Sequence, residues 1–135
     1  MATLVIDKAR SFELGDIGAV PVISGDVIYE GAAVGHAAGF ARPLVAADSF
    51  LGFAETQADN TDGAAGAVNV RVREVGKVQM PVVGVTGVAN VGASVYASDD
   101  DTFTLTATGN SLIGKITQYV SGTTVIVSYK SSSLS

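Results

Sequence analysis

Apolar and polar residues alternate with a period of two along much of the chain. The clearest run is residues 68–75 (VNVRVREV), where Val68, Val70 and Val72 share one face and Asn69, Arg71 and Arg73 the other. That is the pattern of a half-buried β-strand. Gly76 marks a turn or bulge, and residues 77–83 continue as another strand. Pro81 has no N–H to give to a ladder, so it is expected at an edge or bulge. Residues 94–97 and 102–106 also read as strands, with Asp99, Asp100 and Asp101 forming the turn between them. Gly109 and Asn110 signal a further turn. Residues 112–120 and 123–129 then form a hairpin joined at Ser121 and Gly122. Within it Val125, Ile126 and Val127 are consecutive, which calls for cover on both faces of the strand. Sandwich layers, barrel closure or a subunit contact would each provide it.

Upstream, residues 27–29, 40–45 and 50–55 are further strand candidates, and Asp48 is placed to cap one short helical turn after Val45. No long amphipathic helix is evident. Many short strands at close spacing predict an all-β domain, a small β-barrel or β-sandwich. Residues 1–25 differ. Residues 3–6 can pair as a strand, but Gly15, Gly18, Pro21 and Gly25 interrupt the remainder, so this stretch reads as an arm. The expected organisation is an extended N-terminal arm (residues 1–19), a β-domain (20–130) and a frayed tail (131–135).

A chain of 135 residues fits one domain and can hold a core without crosslinks. It has no cysteine, which removes disulfides and thiolate chemistry and suits assembly in a reducing cytoplasm. Only 16% of residues are charged against 47% hydrophobic, so some surface is expected to be covered by partners. The net charge of −5 is unevenly placed: residues 1–66 carry nine carboxylates against three cations, a balance of −6, and the rest of the chain is +1. There is no basic face for nucleic acid. The uncharged run of residues 78–98 is as long as a membrane span. Pro81, Gly84, Gly87 and Gly92 interrupt it, and it is read as strands. The apolar run Leu4, Val5, Ile6 ends at Asp7 and Lys8, unlike a signal peptide.

Catalytic chemistry has little to draw on. His36 is the sole histidine, so a Ser/His/Asp triad would have to pass through it; it lies in a Gly/Ala-rich stretch better read as a strand or connection where backbones approach closely. Residues 59–63 (DNTDG) resemble the start of a calcium loop, but residues 64–69 lack the distal carboxylate, and a solvated turn is the better reading. Asp99, Asp100 and Asp101 are likewise read as a turn, because adjacent residues cannot all point at one ion. No catalytic residue, metal site or cofactor is assigned.

In order, residues 27–34 (VIYEGAAV), 41–45 (ARPLV), 50–55 (FLGFAE), 59–60 with 63–66 (DN, GAAG), 70–73 (VRVR) and 95–100 (VYASDD) resemble the head decoration, or capsid cement, proteins of tailed phages. The resemblance covers about residues 20–130. It implies a barrel-like (β-tulip-like) body seated as a homo-oligomer, often a trimer, on the outer surface of the virion capsid. It also implies binding to the major capsid protein after the head expands, with an arm reaching across neighbouring capsomers, and no nucleic-acid or membrane partner. On this reading Thr3, Leu4, Val5, Ile6, Lys8, Arg10 and Phe12 are the expected capsid-binding arm, and Val125, Ile126 and Val127 the expected oligomer interface. Two alternatives stay open: another virion β-module from a tail tube or fibre, and a small ligand-binding or enzymatic barrel built around His36, Tyr29 or the acidic turns.

Overall fold

A computed structural model describes residue 6 and residues 16–132. Among them are twelve strands. They are Ile17–Pro21 (β1), Val27–Ile28 (β2), Ala33–Ala37 (β3), Phe40–Pro43 (β4), Gly52–Ala54 (β5), Ala58–Asp59 (β6), Asn69–Arg73 (β7), Val75–Pro81 (β8), Ser94–Ala97 (β9), Phe103–Thr104 (β10), Ser111–Ser121 (β11) and Thr124–Lys130 (β12). A 3₁₀ turn spans Val88–Asn90. The all-β expectation holds. Residues 78–98 divide into the end of β8, the 3₁₀ turn and β9, and no helix among the described residues is long and apolar enough to cross a membrane.

The strands form two five-stranded antiparallel sheets, ordered β1-β7-β5-β3-β4 and β8-β12-β11-β9-β10, and a small pair, β2-β6. The two sheets share one plan. In each, the residue after the edge strand's proline donates to the residue just before the neighbouring strand: Val22 N–H to Val68 O and Val82 N–H to Thr123 O, both 3.0 Å. The next residue reaches the opposite edge: Ile23 N–H to Ala41 O at 2.9 Å, and Val83 N–H to Phe103 O at 2.8 Å. Gly31 and Gly92, with φ of 85° and 93°, then turn the chain back and donate to Ala54 O and Ile116 O at 2.9 and 2.8 Å. The chain is thus one β-unit built twice. Short matches mark it in the sequence: Pro21-Val22-Ile23 with Pro81-Val82-Val83, and Gly31-Ala32-Ala33-Val34 with Gly92-Ala93-Ser94-Val95.

Each unit curls until one parallel bridge joins its edges, Val22 to Ala41 in the first and Val83 to Thr104 in the second. Neither curl is a closed barrel. Single bridges do not form a continuous ladder, and both edge strands end in a proline that has no N–H to extend one. The architecture is therefore sandwich-like.

Each curl encloses its own apolar cluster at equivalent positions. Val22, Val34, Ala41, Ala54, Val70 and Val72 fill the first, under the lid that Ile28 and Ala58 of β2 and β6 supply. Val82, Val95, Phe103, Ile116, Val125 and Val127 fill the second. The second interior also receives Phe50 and Phe53 from the first unit. Phe53 alternates with Ala54 on β5, so it points out of the first curl and into the second. Its ring lies 4.8 Å from that of Tyr129, 5.4 Å from Phe50 and 5.9 Å from Phe103. These offset, edge-on contacts join the two halves.

Four expectations change. Val125 and Val127 are fully buried in the chain's own core, as their counterparts Val70 and Val72 are, so the cover they require is intramolecular. Only Ile126, partly exposed on the other face, remains for a contact with a second subunit. β1 begins at Ile17, inside the expected arm, and pairs with β7 from Ile17↔Arg73 to Pro21↔Asn69. The tail is tied further than expected: the N–H of buried Ser131 donates to Glu74 O at 2.7 Å and that of Ser132 to Phe50 O at 2.8 Å. Asp48 caps no helix. Its carboxylate instead accepts from the N–H of Val45, which precedes it, in a turn.

Phe53→Ala should leave a cavity where the two units meet and destabilise the fold by about 3–5 kcal/mol. The check is the urea midpoint. Phe53→Leu, which keeps most of the buried volume, should lose much less.

Candidate functional site

The second sheet presents its inner face to the core and its outer face to solvent. On the outer face Ser128 of β12 is paired with Lys77 on β8 and with Lys115 on β11. Lys130 stands two positions further along β12 on the same face. Sheet spacing sets the Cα atoms of Lys77 and Lys115 about 10 Å apart and Lys130 about 7–8 Å from each. All three lysines are exposed, and none makes an ion pair or hydrogen bond with another described residue. The described side chains that share this face, among them Gln79, Ile126, Leu112 and Tyr96, include no carboxylate. On a chain of net charge −5, a like-charged trio without a counter-ion is a local cost that an acidic partner would remove.

A groove of about 500 Å³ runs along this face. Leu112, Lys115, Lys130 and Ser128 stand at its sides, and Ile113, Gly114 and Tyr129 form its floor. Gly114 is required there: β11 and β12 approach so closely that a Cβ would strike the Ser128 backbone. The missing side chain and the register shift between Leu112 and Gly114 leave the floor open.

The opposite chemistry gathers elsewhere. Tyr29, Glu30, Asp100 and Asp101 line a cavity of about 400 Å³. The Ala33 N–H, donating to Asp100 O at 2.9 Å, ties the start of β3 to this acidic turn. Tyr29 is 61% exposed, so a large aromatic ring stands among carboxylates. Asp99 bonds within its own turn, accepting from Asp101 N at 2.9 Å and Thr102 Oγ1 at 3.0 Å. The Asp101 N–H in particular holds its carboxyl below the usual range, against some burial. Burial, and then the charge of Asp99, raises the Asp100 carboxyl. The triplet is thus a turn, as expected. So is the 59–63 segment, where Asp59 accepts from both the N–H and the hydroxyl of Thr61. Behind it buried Asn60 donates to Val22 O, Ile23 O and Ala64 O at 3.0–3.2 Å, locking the turn to the first unit.

The other sequence candidates do not converge. His36 lies on β3, where its Nδ1 accepts a long bond of 3.4 Å from Gly39 N–H. It shares a shallow cavity of about 280 Å³ with Val20, Leu51 and Glu74, away from Tyr29 and the acidic turn. No group of three or more His, Cys, Asp or Glu side chains among the described residues is arranged to hold a metal ion. Of the arm candidates, Ile6 is 78% exposed. Thr3, Leu4, Val5, Lys8, Arg10 and Phe12 lie outside the described residues.

The described arginines differ from the described lysines in being paired. Arg42 binds Asp48 through two bonds, Nε to Oδ2 at 3.0 Å and Nη2 to Oδ1 at 2.7 Å. Gly35 makes room for this pair, since a Cβ there would overlap the Asp48 carboxylate. Arg71 and Arg73 flank Glu55 at 3.6 and 3.9 Å. The sequence gives no sign of a basic face, and the structure corrects this: Lys77, Lys115 and Lys130 lie far apart along the chain, and only strand register brings them together.

No protein family, curated protein or solved structure matches the chain. The fold by itself defines a duplicated, sandwich-like β-protein with a basic groove on one face and an aromatic-bearing acidic end.

Burial alone would raise the Asp48 carboxyl, but the bonds from Arg42 and Val45 and the Arg42 charge outweigh it and hold the pKa below the usual value. A depressed folded pKa adds stability above the unfolded value of about 3.9 and loses it as pH falls through the folded value. Asp48→Asn should therefore cost about 1–3 kcal/mol at pH 7, and the deficit against the parent should shrink below about pH 3. Urea unfolding of both proteins at the two pH values measures it.

Proposed function

We propose that this protein is a structural decoration protein of a tailed-phage head. It binds the outer surface of the expanded shell as a homo-oligomer and bridges junctions between capsomers of the major capsid protein. The observation that carries the reading is the ordered set of strand-and-turn motifs over about residues 20–130. Several of them lie on or beside adjacent strands of the first sheet, β3, β4, β5 and β7. The low share of charged residues, 16%, and the unpaired lysine face are consistent with a surface meant to be covered.

The physical logic is simple. A shell filled under internal pressure is strained at its capsomer junctions, and a small bridging protein raises the cost of opening them. Single contacts need not be strong, because oligomerisation makes the second and third attachments intramolecular. Residues 3–6 are a short β-forming run that can add a strand to a neighbouring sheet, with Lys8, Arg10 and Phe12 as anchors.

Mixing the purified protein with expanded heads that lack decoration should give saturable, stoichiometric binding. Failure to bind sinks the proposal and favours a tail-tube or fibre module. Deleting residues 2–14, which stops short of β1, should leave thermal stability and oligomer size unchanged while occupancy on heads falls at least about tenfold. Undiminished occupancy would remove the arm from the mechanism.

A further inference from the structure

We infer that the lysine-rimmed groove on the outer sheet face is the docking site for the acidic end of a second copy of this chain, with Tyr29 of that copy seated in the groove. The inference rests on the self-association part of the proposed function and assigns the two surfaces that make it.

The two surfaces are complementary in charge, and the acidic one carries an exposed side chain that the groove can receive. One is concave, open where Gly114 lacks a side chain, with Leu112, Lys115 and Lys130 at its sides. The other carries one exposed aromatic side chain, Tyr29, beside Glu30, Asp100 and Asp101. A large aromatic that fills a pocket, ringed by polar contacts that exclude water, is the usual anatomy of a binding hot spot. Neither set is neutralised within the described chain. The ion pairs among the described residues use Arg42, Arg71 and Arg73 with Asp48 and Glu55, and leave the three lysines and these carboxylates without ion-pair partners. A contact between copies would pair them. Because the surfaces are different patches of one chain, the contact is head-to-tail, and repeating it produces a ring if the rotation closes. That geometry also frees Val125 and Val127 from any role between subunits.

Sedimentation at micromolar concentration tests this. The parent protein should form a single closed oligomer. Its association should weaken at least about tenfold between 0.05 and 0.5 M NaCl, because the paired charges are screened. Lys77→Ala/Lys115→Ala/Lys130→Ala should be a monomer, and so should Glu30→Gln/Asp100→Asn/Asp101→Asn. Each triple variant keeps one intact surface, so an equimolar mixture should give dimers and nothing larger. Tyr29→Ala alone should weaken association in the parent background. The inference is overturned by a monomeric parent, by a lysine variant of parental size, or by a mixture that restores the full oligomer. Should a triple variant not fold, as judged by circular dichroism, the salt series and Tyr29→Ala decide the matter. Loss of oligomer with head binding retained would leave the decoration reading standing. An unchanged oligomer overturns the inference whatever the heads show.

Discussion

The fold depends on where Phe53 points. β5 belongs to the first sheet, yet this side chain leaves that sheet's own core and packs edge-on against Tyr129 and beside Phe103 of the second. The first curl is filled by Val and Ala, small enough for its own lid of Ile28 and Ala58 to close. The second curl is lined by larger residues and needs Phe50 and Phe53 from outside to complete its packing. Interiors pack as densely as organic crystals, so an interior short of two aromatic rings would not be stable by itself. The second unit is complete only when the first is in place, and this makes one domain of two repeats.

The repeat also explains how exposed edges are managed. A sheet edge presents unpaired N–H and C=O groups that invite other chains. Each unit curls so that the residues after the edge proline bond back to the opposite edge, through Ile23 in the first and Val83 in the second. At the joint, the Glu74 N–H donates to Asp16 O at 2.8 Å and its carbonyl accepts from Ser131 N at 2.7 Å, so Asp16 and Ser131 meet at the residue between β7 and β8. Asp16 therefore lies at the seam between the units, a suitable base for the proposed arm.

The distribution of charge has its origin in the same construction. Arginines and their carboxylates pair on the first unit and hold its turns, as Arg42 and Asp48 do. Lys77, Lys115 and Lys130 lie on outward positions of β8, β11 and β12, where alternation keeps them clear of the core and register collects them around Ser128. An acidic protein thus carries a basic face, and its formal net charge of −5 conceals the separation.

Period-two alternation was enough by itself to establish the all-β class, the hairpin at Ser121 and Gly122, the inward-facing set Val68, Val70 and Val72, and the acidic triplet as a turn. These are local consequences of side-chain direction and turn chemistry, which neighbouring residues carry between them. The duplication was written more faintly, because the units share backbone hydrogen-bond positions more than residue identities. Open curls in place of a closed barrel, the strand role of residues 17–19, the intramolecular cover of Val125 and Val127, and the gathering of Lys77, Lys115 and Lys130 were decided only by tertiary structure. Each depends on which strands lie side by side and in what register, and those pairings join residues tens of positions apart that no local pattern connects.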